Sequence, residues 1–215
     1  VQAEAFDYPE DFFKKRTHAI RKINIDEDEL IRAVEILKQS KKPLIIAGGG
    51  VHYAQACSAL QKFSKKYQIP VAETSAGKGA IAWNHSCYVG AIGVTGSNAA
   101  NNLAREADTV LAIGTRLNDF ISGSRALFSD KTILQLNVAR FDAIKHNALS
   151  LWGDAKLGIQ QLDMKLSDWK ASQEWKDLAN KESSKWNNYY DEITSIKSTS
   201  KTMDSLPTDA QVLGE

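Results

Sequence analysis

Cysteine is nearly absent from this chain. Cys57 and Cys87 are the only two among 215 residues, and no zinc-type spacing accompanies them. That argues against a disulfide framework or a zinc module, and Cys57, inside a helical pattern, reads as a small apolar residue. Histidine is scarce too, and His18, His52, His85 and His146 stand apart without metal-ligand spacing. Charge of one sign is missing. Twenty-seven basic residues offset 26 acidic ones for a net charge of +1, which gives no electrostatic reason to propose nucleic acid or an anionic membrane as partner. No apolar run reaches the ~18 residues of a membrane-spanning helix, and no signal peptide is visible, so the expectation is a cytoplasmic protein. What remains, 43% hydrophobic and 25% charged residues, is the composition of an ordinary globular domain.

The stretch Pro43-Leu44-Ile45-Ile46-Ala47-Gly48-Gly49-Gly50 organises the rest. Four apolar residues between a basic pair and a glycine triplet suit a strand buried on both faces. Helical patterns lie on either side, over 29–39 and 54–67. A parallel strand ending in glycines before a helix lets backbone N–H groups approach an anion. The same glycines serve equally well for a tight strand-to-helix turn that needs only backbone freedom.

Along the chain, residues 1–25 carry Phe6, Tyr8, Phe12 and Phe13 around Pro9 and read as an arm lying across the domain surface. Asp26 or Asp28 can cap a helix with Leu30, Val34 and Leu37 on one face. Further strands are read at 69–72, 88–90, 109–113, 132–136 and 149–152. Ser97 caps a helix with Ala100, Leu103, Ala104 and Ala107. Strands separated by helical patterns, each ending in a polar or glycine-bearing turn, predict an α/β fold: a doubly wound, mostly parallel sheet of six strands. This occupies residues 26–166. A helical extension follows at 167–197, where Trp169, Trp175, Trp186 and Tyr190 are expected to pack onto the domain rather than stack bases. Residues 198–215 read as a polar linker and the capped start of a fresh helix. With Val1 in place of methionine, the expectation is a domain excised from a larger protein.

Several local motifs fail. The dinucleotide fingerprint requires glycine or alanine three residues after its second glycine, and from Gly50 that position is Tyr53. Gly77-Lys78 is no phosphate-binding Walker loop, because Ala72 and Gly79 replace required residues. Glu73 ends the second strand, where a ribose-binding carboxylate would sit, but stands alone. Gly153-Asp154-Ala155 lacks the last glycine of the magnesium-binding Gly-Asp-Gly motif, so Asp154 reads as a helix cap or a crevice acceptor. Arg116, just past a strand end, is the best single residue for gripping an anion, with an ion pair to Asp119 as the alternative.

Taken together and in order, Ile45–Gly50, Gly77-Lys78-Gly79, Gly93-Val94-Thr95-Gly96, Gly114–Phe120 and Gly153-Asp154-Ala155 resemble the central domain of thiamine-diphosphate-dependent enzymes of the acetolactate synthase type. Within that family Gly50-Val51-His52-Tyr53, Val71–Thr74, the run 90–100 and Phe141–His146 are most similar to the branch that hydrolyses a cyclic dione in inositol breakdown. The likeness covers most of residues 1–166.

The resemblance implies a homo-oligomeric enzyme of three α/β domains, of which this is the middle one. Thiamine diphosphate and Mg²⁺ would be held by the missing N- and C-terminal domains. The cofactor's carbanion would attack a carbonyl of trihydroxycyclohexane-1,2-dione, and C–C cleavage with water would give a deoxy-glucuronic acid. No catalytic or metal-binding residue is expected in this chain, which alone should be inactive. FAD-bearing relatives place an arginine where Phe120 stands here, which argues against flavin. Gly48, Gly49, Gly50, Thr74, Arg116 and Asp154 still match the family's crevice positions, leaving an ADP-like ligand or a vestigial site open. The alternatives are a nucleotide-binding module or an acetolactate synthase relative.

Overall fold

The computed structural model describes residues 3–195 and 207–214. Its strands are β1 (Pro43–Ala47), β2 (Val71–Glu73), β3 (Tyr88–Ala91), β4 (Thr109–Ile113), β5 (Thr132–Asn137) and β6 (Leu149–Trp152). Its helices are α1 (Glu27–Gln39), α2 (Gly49–Tyr53), α3 (Cys57–Tyr67), α4 (Asn98–Glu106), α5 (Asp119–Ser122), α6 (Arg140–Ala143), α7 (Ala155–Leu166), α8 (Gln173–Thr194) and α9 (Asp209–Gly214). The strands form one six-stranded sheet in the order β3-β2-β1-β4-β5-β6, and every pairing is parallel.

Helices cover both faces. α7 packs against both α1 and α3, while α4 packs on α8 and α8 lies along β3. Strands sandwiched in this way must be apolar throughout, and β1 and β4 are buried at every position. Their register sets Ile45 beside Leu111 and Ala47 beside Ile113. The chain runs outward from β1 through β2 to β3, then crosses back and runs outward the other way from β4. The carboxyl ends of β1 and β4 are therefore the topological switch point, where open parallel sheets offer a crevice.

Polar side chains fix where several of the helices start. Asp26 accepts from the N–H groups of Asp28 and Glu29, Ser97 from that of Ala100, and Ser172 from that of Trp175. Each satisfies donors that an uncapped first turn leaves unpaired.

Four sequence expectations need adjustment. The helix read over 54–67 starts later, at Cys57, and is preceded by a short helix the sequence did not suggest: α2 springs directly from the glycine triplet, and Gln55 adopts a left-handed conformation (φ 53°) between α2 and α3. Cys57 therefore opens a helix instead of sitting within one. In the arm, Phe6, Tyr8, Phe12 and Phe13 stack on one another and stay exposed. The arm docks at Ile25, whose N–H and C=O both bond the Gln161 amide. In the extension Trp175 is buried and Trp169 packs against the core, but Tyr190 is exposed, because α8 meets the domain mainly through its first half. The linker read at 198–205 lies outside the described residues. α9 has Thr208 Oγ1 accepting from the Gln211 N–H at 3.3 Å, as the capped-helix reading expected.

Candidate functional site

β1 passes into α2 without a loop, so its glycines lie directly against the end of β4. The Gly48 N–H donates to Ile113 O and the Gly50 N–H to Gly114 O, both at 2.9 Å. A methyl group would not fit here. A Cβ on Gly48 would lie 2.4 Å from Gly114 O, and one on Gly50 would lie 2.6 Å from Gly114 Cα. On the other side a Cβ on Gly49 would lie 3.2 Å from Ala76 O. Backbone packed on backbone is thus sufficient reason for glycine, and two of the triplet's N–H groups already have acceptors within the domain.

Thr74 follows β2 and is buried. Its N–H donates to Ala47 O at 2.9 Å and its Oγ1 accepts from the Gly77 N–H at 3.1 Å, which holds the turn Ser75–Gly77 against the triplet. Glu73 is also buried, and its carboxylate accepts from the Ile81 N–H at 3.0 Å, turned toward its own loop. Arg116 stands exposed at the rim and forms no hydrogen bond or ion pair among the described residues, so the pair with Asp119 is not made. The next residue, Leu117, is buried at φ 43°, an uncommon conformation for a bulky side chain. Its carbonyl is held by His146 Nε2 at 2.8 Å.

The sheet order separates these residues. Gly48, Gly49, Gly50 and Arg116 meet at the β1/β4 switch point, and Thr74 sits one strand away. Asp154 follows β6 at the sheet edge, two strands from β4. There it caps α7, accepting from the N–H groups of Lys156 and Leu157 at 3.0 and 3.1 Å.

Sequence reasoning missed the floor of the crevice. Gln135 Nε2 and Asn137 Nδ2, on β5, both donate to Thr115 O at 2.9 Å. Gln135 Oε1 is buried without a partner among the described residues. A glutamine inside an otherwise apolar strand was the available signal. His52 was missed as well; it reaches from α2 to the Gly77 and Lys78 carbonyls.

On the α3/α7 face an ion pair is joined by a tyrosine hydroxyl. The Asp163 carboxylate accepts from Lys66 Nζ at 2.6 Å and from the Tyr67 hydroxyl at 2.8 Å. The Lys66 bond holds the Asp163 carboxyl below its ordinary range, while burial pushes the Tyr67 hydroxyl up. Among the described residues, His, Cys, Asp and Glu side chains form no group of three suited to a metal ion.

An open parallel sheet in this strand order, with a glycine-closed switch point, places the chain among Rossmann-like α/β domains. The family profile described as thiamine pyrophosphate enzyme, central domain, matches residues 30–162. The chain belongs to this family. It is similar to the 3D-(3,5/4)-trihydroxycyclohexane-1,2-dione hydrolase of Clostridium tetani, with 41% identity over 203 residues, covering 94% of this chain and 32% of that protein. The protein of the same name from Geobacillus thermodenitrificans is 44% identical over 169 residues, covering 79% of this chain and 26% of the relative. That from Clostridium perfringens is 40% identical over 199 residues, covering 92% and 31%. The chain thus spans about a quarter to a third of the length of the curated relatives it matches.

Proposed function

We propose that this chain is the middle, structural domain of a thiamine-diphosphate-dependent hydrolase that opens the ring of 3D-(3,5/4)-trihydroxycyclohexane-1,2-dione to a deoxy-glucuronic acid in inositol breakdown. One observation carries the reading: 41% identity across 94% of this chain to a hydrolase of which it spans 32%. Residues 1–25 are then the arm from a preceding domain, 26–166 the domain proper, 167–197 its helical brace and 198–215 the link to a following domain. Thiamine diphosphate and Mg²⁺ belong to those neighbours, in a cytoplasmic homo-oligomer.

The crevice is read as mainly architectural. Gly48, Gly49 and Gly50 close β1 onto β4, Thr74 holds the adjoining turn and Asp154 caps α7. An ADP-like ligand remains compatible with the exposed Arg116, while Phe120 in place of an arginine argues against FAD. Calorimetric titration of the chain with ADP and with FAD tests this point.

The main test compares the chain alone with a chimera in which it replaces the matching segment of the Clostridium tetani protein. With thiamine diphosphate, Mg²⁺ and the dione, the chain alone should be inert and the chimera should turn over. Turnover by the chain alone, or a folded, cofactor-binding chimera without activity, would overturn the scaffold reading. Pyruvate consumption by the complete native protein, without dione hydrolysis, would overturn the substrate.

A further inference from the structure

The break between α2 and α3 sets a histidine against a cysteine. His52 lies on α2, Cys57 opens α3, and the left-handed Gln55 folds one back toward the other. Cys57 Sγ stands 3.5 Å from His52 Nδ1. The other ring nitrogen, Nε2, faces two carbonyl oxygens, Lys78 O at 3.0 Å and Gly77 O at 3.3 Å. Carbonyl oxygens only accept, so Nε2 carries a proton, and in its neutral form the ring presents the Nδ1 lone pair to the thiol. A thiol beside a base, with that base oriented by a third group, is the arrangement that activates nucleophiles.

The start of α3 adds an independent contribution. Its N-cap is Ala56, which offers no side-chain acceptor. The N–H groups of Cys57, Ser58 and Ala59 therefore have neither an intrahelical acceptor nor a side-chain cap. A sulfur at the first position of an eleven-residue helix sits where negative charge is favoured. Cys57 is partly exposed, so reagents can reach it. Cys87 provides the contrast: it is buried, its thiol donates to Ser64 O at 3.4 Å, and burial pushes that thiol up.

We propose that Cys57 is a covalent modification site, a thiol activated by His52 that reacts with small electrophiles, with hydroperoxides as the oxidant class. The Cys57 proton passes to His52 Nδ1, and the thiolate attacks one peroxide oxygen. The O–O bond breaks, and the leaving hydroxide, or the alkoxide of an organic hydroperoxide, takes the proton from Nδ1. Sulfur is oxidised by two electrons to the sulfenic acid, and the peroxide is reduced to water or to the alcohol. His52 also anchors the carbonyls of Gly77 and Lys78, so modification of its sulfur partner is felt in the turn beside the crevice.

The test treats the chain at neutral pH with N-ethylmaleimide, or with hydrogen peroxide and dimedone, and maps the adducts by peptide mass spectrometry. Both reagents should mark Cys57 and spare Cys87. His52→Ala and His52→Asn should each slow alkylation of Cys57 by at least about tenfold, conservatively below the usual contribution of a positioned base. A purely structural role for the ring would give the opposite sign, because removing it uncovers the sulfur. Circular dichroism verifies that the variants fold. Independently of any variant, Cys57 should react faster in the native chain than in the chain unfolded in guanidinium. Slower reaction in the native chain, unchanged or faster labelling in the folded histidine variants, or label on Cys87 instead would overturn the assignment.

Discussion

Trp175 Nε1 donates to the carbonyl oxygen of Pro43 at 2.8 Å, bonding the helical extension to the first residue of the central strand. The ring is buried, so α8 shares the core of the domain rather than hanging from it. Trp175→Ala should cost about 3–5 kcal/mol in urea denaturation, the range for deleting a large buried ring. Trp175→Phe keeps most of the apolar contact but leaves Pro43 O unpaired, and should cost about 1–3 kcal/mol. A loss below about 0.5 kcal/mol for the alanine variant, the range of ordinary surface changes, would mean the extension is not part of the cooperative unit.

The glycines of the switch point and of the neighbouring loop should respond differently to the same methyl group. Gly50→Ala drives a Cβ to 2.6 Å from Gly114 Cα, where only backbone movement can relieve it. Gly79 has φ 83° with nothing within 4 Å of the added carbon, so only its backbone conformation is strained. Gly79→Ala should therefore cost about 1 kcal/mol. Gly50→Ala should cost clearly more, about 3 kcal/mol or beyond, as overpacking does where neighbours are rigid. Thermal melts of the two variants side by side measure the difference.

Much of this architecture was legible because local signals agreed. Thr109–Ile113 and Leu149–Trp152 are strands with the bounds read from the sequence, since each apolar run is closed by turn residues on both sides. Asp154 and Ser97 were readable as caps because each stands just before a helical pattern. The break at Gln55 was not legible. It sits between alanines, without glycine or proline, and only the folding of α3 back past α2 puts it in the left-handed region. The two uses of the glycine triplet could not be separated locally either, since a phosphate cradle and a close strand contact both call for glycine. The contact partners, Ile113 and Gly114, are distant in the chain, and only the placement of β4 beside β1 reveals them. The bonds from Gln135 and Asn137 to Thr115 O are equally nonlocal.

Asp108 joins the turns that precede β1 and β4, and it should make stability depend on acid pH. Its carboxylate accepts from the Ser40 hydroxyl, and from the N–H groups of Lys41 and Lys42 at 2.8 and 3.0 Å. Burial alone would raise this carboxyl, but these bonds outweigh it and hold it below its ordinary value. A carboxylate depressed in the folded state stabilises the fold above its unfolded value of about 4, and that contribution is lost as pH falls through the lower folded value. Asp108→Asn should thus be less stable above about pH 5, by about 1 kcal/mol after allowing for solvent screening. The gap should close as the pH drops below about 4. Urea midpoints measured across that range check it; a gap that persists unchanged in acid would assign the loss to geometry instead of charge.

Gln135 sets the packing of the crevice floor against its polar chemistry. Its Nε2 shares Thr115 O with Asn137, while its Oε1 is buried and unpartnered among the described residues. Replacing it with methionine keeps the volume and removes both the bond and the orphan acceptor, and Thr115 O retains the Asn137 donor. Removing an unsatisfied group offsets the loss of one hydrogen bond, so Gln135→Met should leave stability within about 1 kcal/mol of the parent. Asn137→Ala removes the remaining polar logic: its Nδ2 bond to Thr115 O goes, and so does the Oδ1 that accepts from the Ala139 N–H at 2.9 Å. That change should cost about 1–3 kcal/mol, because two hydrogen bonds, each worth about 0.5–1.5 kcal/mol, are lost together. The contrast is read from paired urea curves. A large loss for Gln135→Met would show that Oε1 serves a donor of its own, an ordered water or a ligand group at the floor of the crevice, and would shift the crevice from architecture toward binding.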